Sequence, residues 1–194
     1  MLESSRTQVY DCSHTFKSPT QPEIERAFRV VHDDSEAAYN GDGSWGCGYA
    51  DWVGADVDMD RPLYADVARR VLGYLSVHRI SGDEICADRA RQGLNYLVDE
   101  QQDDGTFLWW IREDGVKGDP DLIHTTAIPA ISCLAGHEEF GDEKYMDASR
   151  KAAMFSCNSS VVDNTDYTAL GVWQLAEMAQ LTGDQLCIDA AIDR

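Results

Sequence analysis

The chain has 194 residues, enough for one medium-sized domain, and 43% of them are hydrophobic, which is typical of a protein with a packed core. Acidic residues outnumber basic ones 35 to 16, and the formal charge of −19 argues against binding to nucleic acid or to anionic membranes, because both need a positively charged surface. No apolar run reaches the roughly 20 residues of a membrane span, and no secretory signal is visible, so we expect a soluble protein whose compartment, cytoplasmic or secreted, stays open.

The first predicted helix follows a polar N-terminal stretch. Residues 1–20 are predicted to form an extension. The segment QPEIERAFRVVHDDSEAAY then places Ile24, Ala27, Phe28 and Val31 at helical spacing. From this helix onward, residues 21–194, the sequence predicts a single domain built from helical hairpins.

A ten-residue pattern occurs three times, as SGDEICADRA, FGDEKYMDAS and TGDQLCIDAA. Its Gly suits the left-handed conformation that ends a helix, and the Asp that follows is a good N-cap for the next helix. The Ala or Ser that ends the pattern comes seven residues, or two helical turns, after this Asp and therefore lies on the same face of the helix. Each copy therefore predicts the tight turn of a helical hairpin.

The helix before each turn is more apolar than the helix after it. The third such helix, TDYTALGVWQLAEMAQL, carries the apolar residues Leu170, Trp173, Leu175 and Met178. This asymmetry predicts inner and outer helices. Hairpins that cannot bury their apolar faces alone must stack on their neighbours, so every tight turn lies at one end of the stack and every long connection at the other.

The three long connections contain four of the five tryptophans and many carboxylates. Aromatic rings stack on the faces of sugars, and titratable groups carry out the proton transfers of glycoside chemistry. The pattern predicts an aromatic- and Asp-lined cleft at the rim where the inner helices begin. The predicted substrate-binding residues are Trp45, Tyr49, Trp52, Trp109, Trp110, Asn164, Asp51 and Asp119.

His124 and Tyr167 are the predicted acid–base groups of this rim. Each lies at the start of an inner helix, next to Asp121 and Asp166 respectively. The alternative, that each is a structural residue bonding the backbone at a helix start, stays open. The predicted catalytic residues are His124, Tyr167, Asp121, Asp166 and Arg112.

Two segments resemble known toroid proteins. RARQGLNYLVDEQQDDGTF, residues 89–107, resembles the repeat of (α/α) toroids, and GDEKYMDASRKAAMF, residues 141–155, is similar to the outer helix of six-hairpin glycosidases and related polysaccharide lyases. The resemblance covers about residues 60–194 and rests on architectural motifs. The expected fold class is all-α, with repeated helical hairpins forming part of an (α/α) toroid or a short α-solenoid.

The resemblance implies a carbohydrate-active protein whose partner is a polysaccharide or oligosaccharide. In a polysaccharide lyase of this kind a Tyr or His base works beside a group that neutralises a uronate carboxylate, a role that Arg112 or Asn164 could fill. In a glycoside hydrolase two carboxylates would act, with their separation setting the stereochemical outcome. The candidates for that pair are Asp51, Asp119, Asp121 and Asp166.

Two other functions stay open. Three hairpins are fewer than a closed toroid needs, so the chain could be a truncated toroid fragment or a non-catalytic helical repeat that binds a glycan or a protein, and its exposed flanks would favour a homo-oligomer. The segment Gln102–Phe107 also resembles the aromatic repeat of terpene cyclases and prenyltransferases. This isoprenoid alternative is weakened because the Asp-x-Asp-Asp acid motif of class II cyclases is missing.

No metal or cofactor is predicted from the spacing of His and Cys. The run DVDMD at Asp56–Asp60 matches the first half of an EF-hand loop, but Arg61 and Val67 stand where that loop needs Gly and Glu. A looser calcium site at these aspartates stays open. The six cysteines are predicted to be buried free thiols rather than a disulfide framework.

Overall fold

The computed structural model describes residues 20–46, 63–108, 123–159 and 165–194. Within these ranges the chain forms helices joined by turns and loops and contains no strand, so the all-α class is confirmed. None of the described helices is both long enough and apolar enough to cross a membrane. The helices are α1 (Gln21–Ala37), α2 (Tyr64–Ser81), α3 (Glu84–Glu100), α4 (Ile123–Phe140), α5 (Glu143–Asn158), α6 (Thr165–Thr182) and α7 (Gln185–Ile192).

The chain divides into two compact units at the boundary between Glu36 and Ala37, which falls inside the range 21–194 that the sequence predicts as one domain. The first unit contains helix α1 except for its last residue, Ala37. The carboxylate of Glu23 accepts hydrogen bonds from the backbone N and the Oγ1 of Thr20, at 2.8 and 2.7 Å, which is one half of a capping box. The backbone hydrogen bond is the main reason why the pKa of Glu23 is lowered.

In the second unit, the three predicted hairpin turns are confirmed. Each turn Gly is left-handed, with φ of +70° at Gly82, +69° at Gly141 and +70° at Gly183. The Asp after each Gly accepts a hydrogen bond at 2.9 to 3.1 Å from the backbone N–H two residues further on; these are Asp83, Asp142 and Asp184. The Gly therefore ends one helix and the Asp starts the next.

Two histidines brace the first two turns. The Nδ1 of His78 lies 3.0 Å from the carbonyl oxygen of Asp83, and the Nδ1 of His137 lies 3.2 Å from that of Asp142. A carbonyl oxygen only accepts, so Nδ1 is the protonated donor in both rings. Both rings therefore have a structural role at the turns.

The hairpins stack side by side. Helix α2 packs on α3, α4 on α5, and α6 on α7, while α2 also contacts α4, and α4 contacts α6. The helices that precede the turns, α2, α4 and α6, thus form one row, the inner row. The helices that follow the turns, α3, α5 and α7, form a second row against it. Closure of these rows into a toroid, or their continuation as a solenoid, stays a prediction.

Apolar residues fill the space between the rows. One cluster joins Leu134 of α4, Met146 of α5, Leu175 and Met178 of α6, and Cys187 of α7. Further along, Gly136 lets α4 approach α3 closely, because a Cβ at Gly136 would lie 2.4 Å from Cδ1 of Leu94. Burial of large side chains of this kind contributes roughly 1.5–3 kcal/mol each.

Two loops with similar sequences share one conformation; we call them the Asp-Gly loops, NGDGSW at residues 40–45 and QDDGTF at residues 102–107. In each, an Asp Oδ1 accepts from the backbone N–H and the hydroxyl two residues later, in Asp42 with Ser44 and in Asp104 with Thr106. In each, a Gly with positive φ comes so close to an outer helix that a Cβ would lie 2.3 Å from a carbonyl oxygen. The aromatic residue that ends each loop is fully buried.

Candidate functional site

The predicted rim site is described only in part. Trp45, Asp166 and Tyr167 are described in full, and His124 is described by its backbone alone. The remaining predicted site residues lie outside the described residues, as does the aspartate run at Asp56–Asp60. They are Arg112, Asp121, Tyr49, Trp52, Trp109, Trp110, Asn164, Asp51 and Asp119. The catalytic rim therefore stays a prediction.

Two of the predicted catalytic residues occupy matching places in neighbouring helices. His124 is the second residue of α4, and Asp166 is the second residue of α6, which contacts α4. Asp166 is exposed and Tyr167 is half-buried. The residue of α6 that corresponds to His124 is therefore Asp166, whereas Tyr167 corresponds to Thr125, which is buried and donates to the carbonyl of Phe107.

Trp45 was predicted to bind substrate, but its ring lies in the core. It is 0% exposed, stacks on Tyr74 with ring centroids 5.7 Å apart, and contacts Tyr39 at 5.3 Å. A Cβ at Gly93 would come within 3.0 Å of its Cζ3 atom. Because no face of this ring is exposed, Trp45 anchors the first Asp-Gly loop and offers a sugar no stacking surface.

A groove runs across the exposed side of the inner row; we call it the inner-helix groove. Its volume is about 260 Å³, close to the lower end of the roughly 300–1,000 Å³ of small-molecule pockets. Three lining residues, Leu72, Ile131 and Trp173, hold the same place relative to the turn glycines of their hairpins. A second matching set is Arg79, Glu138 and Gln180, and the lining is completed by Leu134, Ala135, Glu177 and Leu181.

Trp173 is the aromatic residue that lines this groove. Its side chain is 46% exposed, and its indole Nε1 donates a hydrogen bond of 2.9 Å to Oε1 of Glu177. The bond joins residues one helical turn apart and holds the ring against its own helix. The groove therefore presents part of an aromatic ring to solvent.

The polar groups that line the groove differ in their hydrogen bonding within the described chain. The guanidinium of Arg79 is engaged, with Nε donating to Glu139 at 2.6 Å and Nη2 to the carbonyl of Ala135 at 3.2 Å. By contrast, the carboxylate of Glu138 and the amide of Gln180 make no hydrogen bond within the described chain. A ligand in the groove would meet two glutamates, an open amide and an aromatic face.

Trp173, which the sequence analysis counts among the apolar residues of this helix, does not lie on the buried side of α6. The buried residues of this helix are Gly171, Gln174, Leu175 and Met178. Trp173 is adjacent to Gln174 in the sequence but lies at the edge of this buried face of the helix. The positions of the apolar residues along a helix do not show whether a tryptophan at such an edge is packed or exposed. Aligning the three inner helices on their turn glycines would have grouped Trp173 with Leu72 and Ile131 and so located the groove.

Within the described ranges, no group of three or more His, Cys, Asp or Glu side chains is placed to hold a metal ion. No protein-family model matches the sequence, and no curated protein matches it.

Proposed function

We propose that the protein is carbohydrate-active and binds a neutral oligosaccharide or polysaccharide in the inner-helix groove, with the ring of Trp173 as the platform for one sugar. The observation that carries this proposal is the half-exposed indole bonded to Glu177, in a groove that the side chains of Glu138 and Gln180 also line. The C–H face of a pyranose stacks on an indole, and its hydroxyls donate to carboxylates.

Charge narrows the class of glycan. The groove contains two glutamates, and its one arginine is already paired with Glu139. The whole chain carries a formal charge of −19. A uronate polymer would be repelled by these carboxylates at short range, whereas the hydroxyls of a neutral glycan can donate to them.

The same charges suit a second ligand class, an organic cation such as a quaternary ammonium compound. A cation over an indole face beside carboxylates is stabilised by both groups. Ionic strength separates the two ligands: binding of a cation weakens between 0.05 and 0.5 M salt, by roughly the screening expected for exposed charges, while binding of a neutral glycan stays nearly constant.

Two reactions cleave glycans in proteins of the kind that the sequence resembles. Hydrolysis needs a pair of carboxylates, and Glu138 and Glu177 are the pair that the groove supplies. β-Elimination needs a base and a charge-neutralising group, which the predicted rim would supply through His124, Tyr167 and Arg112. Because a neutral glycan lacks the carboxylate that β-elimination requires, the groove favours hydrolysis.

The test is a binding and turnover screen of the full chain against neutral and uronate oligosaccharides, with and without calcium. Calorimetry measures binding, new reducing ends report hydrolysis, and ultraviolet absorbance of an unsaturated uronate reports elimination. Trp173→Ala should weaken glycan binding about tenfold, since an aromatic contact contributes roughly 0.5–1.5 kcal/mol beyond its area.

The matched control is Met154→Ala, which removes a side chain of similar exposure, 48%, from helix α5 and outside the groove. It should leave binding unchanged. Equal affinity of the wild type and Trp173→Ala for every glycan that binds would contradict the groove as the binding site. Binding without turnover in any condition would favour the non-catalytic module over the enzyme.

A further inference from the structure

Two thiols meet at the junction between helices α5 and α7. The Sγ of Cys157 lies 4.0 Å from the Sγ of Cys187, and both cysteines are free. Cys187 is 1% exposed and belongs to the apolar cluster between the rows, while Cys157 is partly exposed at the edge of that cluster. The two sulfur atoms are in van der Waals contact, and a bond between them requires an approach of roughly 2 Å.

The repeat shows that this contact is particular to one junction. Cys187 holds the same place after its turn Gly as Cys86 and Tyr145, and all three side chains are buried. At the preceding junction, between α3 and α5, the hydroxyl of Tyr145 donates to Oδ1 of Asn95 at 2.9 Å. The same slot is thus filled by a hydrogen-bonding side chain at one junction and by one member of a thiol pair at the next.

We propose that Cys157 and Cys187 are a disulfide-forming site, which small-molecule disulfides oxidise and which then ties helix α7 to helix α5. The thiolate of Cys157, the more accessible of the two, attacks one sulfur of the reagent disulfide. That step forms a mixed disulfide and releases one reagent thiolate. The thiolate of Cys187 then attacks the sulfur of Cys157, which closes the protein disulfide and releases the second reagent thiolate.

Electrons and protons balance over these two steps. The two cysteine thiols lose two protons and two electrons in total, and the reagent disulfide is reduced to two thiols.

The disulfide would crosslink a short helix to its neighbour, because α7 has only 8 residues and is the shortest described helix. Within the described chain, α7 is otherwise held by its contacts with α5 and α6 and by Arg194, whose guanidinium donates to the carbonyls of Ser156 and Ser159 at the end of α5.

The sequence offers a direct readout. No Lys or Arg lies between Lys151 and Arg194, so trypsin releases residues 152–194 as one peptide containing Cys157, Cys187 and no other cysteine. The folded full chain is incubated with oxidised glutathione and then unfolded in a denaturant that contains iodoacetamide, which alkylates free thiols. The protein is digested with trypsin, and the peptide masses are measured by mass spectrometry. The expected product is this peptide without alkyl groups and lighter than its reduced form by two hydrogen atoms.

Two internal controls come from the same digest. The peptides that contain Cys86 and Cys133, which are both fully buried, should carry alkyl groups and show no crosslink. In Cys157→Ser the peptide should take one alkyl group at Cys187 and carry no glutathione, while Cys86→Ser should behave as the wild type. A peptide that takes two alkyl groups, that stops at the mixed disulfide, or that is crosslinked to Cys86 or Cys133 would overturn the proposal.

Discussion

The Nε of Arg79 donates a hydrogen bond of 2.6 Å to Oε2 of Glu139. Arg79 lies at the end of helix α2 and Glu139 at the end of helix α4. The Nε2 of His78 lies 3.6 Å from the other carboxylate oxygen. Both arginine and glutamate stand just before a turn Gly, so the pair joins matching ends of two neighbouring inner helices. The inner helices α2 and α4 therefore run in the same direction.

We expect Arg79→Ala to lower the free energy of unfolding by about 0.5–1 kcal/mol, because the pair is partly exposed and solvent screens it. Chemical denaturation measures the loss, and the difference from the wild type should shrink in 1 M NaCl. The matched control is Arg150→Ala, which removes an arginine of similar exposure paired only with Asp147 on its own helix. A loss at Arg79 no larger than at Arg150 would contradict a role in joining α2 to α4.

Three glycine-to-alanine changes should alter the free energy of unfolding by amounts that differ in sign and size. Gly73→Ala, in the middle of helix α2 with open space around it, should stabilise the protein by about 0.5–1 kcal/mol. Gly141→Ala also meets open space but must adopt φ of +69°, so it should cost about 1–2 kcal/mol. Gly105→Ala adds to the same strain a Cβ placed 2.3 Å from the carbonyl oxygen of Lys151, and should cost about 3 kcal/mol or more.

Denaturant titration of the three variants under one condition gives the order directly. The order Gly73, Gly141, Gly105 from stabilising to most destabilising depends on the second Asp-Gly loop lying against helix α5. If Gly105→Ala cost no more than Gly141→Ala, that close approach would be disproved.

The cap of helix α5 should make stability depend on pH. The backbone N–H of Lys144 donates to the carboxylate of Asp142, and this hydrogen bond holds the pKa of Asp142 below its ordinary value of 3.8. A lowered pKa in the folded state stabilises the protein above the unfolded value, and that stabilisation is lost as the pH falls through the folded value. In Asp142→Asn the amide oxygen can still accept but does not titrate in this range.

The difference in unfolding free energy between the wild type and Asp142→Asn should therefore be present at pH 5 to 7 and shrink below about pH 4. Asp147→Asn, on the exposed face of the same helix, provides the baseline for removing one acidic charge that caps no helix. A wild-type advantage over Asp142→Asn that stays constant down to pH 2 would show that the carboxylate does not stabilise the helix start.

The thiol pair should react slowly at neutral pH. Burial raises the pKa of Cys157 and raises that of Cys187 to about 12. At Cys157 the hydrogen bond with Cys187 and the nearby guanidinium of Arg194 only partly offset this effect, and Asp184 adds to it. The thiolate fraction, and with it the rate of alkylation of Cys157, should rise about tenfold between pH 7 and 8 and keep rising to pH 9. A rate that levels off below pH 8 would contradict the raised pKa.

Once closed, the disulfide should stabilise the protein. The two cysteines are 30 positions apart, and a loop of that length corresponds to about 3.5 kcal/mol of lost entropy in the unfolded chain. Denaturation of the oxidised chain with and without a reductant measures the gain, with oxidant-treated Cys157→Ser as the control. An oxidised form no more stable than the reduced form would mean that strain in the folded state cancels the constraint.

The turns and the division into inner and outer helices could be predicted from the sequence, because Gly at a left-handed position and Asp at an N-cap are requirements of the backbone itself. These local rules placed Gly82, Gly141 and Gly183 correctly. Side-chain roles that depend on a neighbouring helix were harder to predict. The 4.0 Å approach of Cys157 to Cys187, for example, follows from the packing of α5 against α7, which no local pattern encodes.

Trp45 and Trp173 also show that the local sequence does not determine whether an aromatic ring is buried or exposed. Trp45 lies in a loop, where an aromatic residue suggests binding, yet the Asp-Gly loop turns its ring into the core. Trp173 lies in an apolar helix, where periodicity suggests packing, yet its ring is exposed. Comparison of NGDGSW with QDDGTF would have identified Trp45 as an anchor, since the two loops share the pattern that ends in a buried ring.

The Asp-Gly loops also bear on how such a protein can change over evolutionary time. Each loop fastens the chain to an outer helix before the long connection to the next inner helix begins. Residues inserted or deleted after the buried ring therefore leave the register of the hairpins intact. A connection anchored in this way can lengthen, shorten and acquire new side chains under selection for a different ligand, while the helices that support it stay in place.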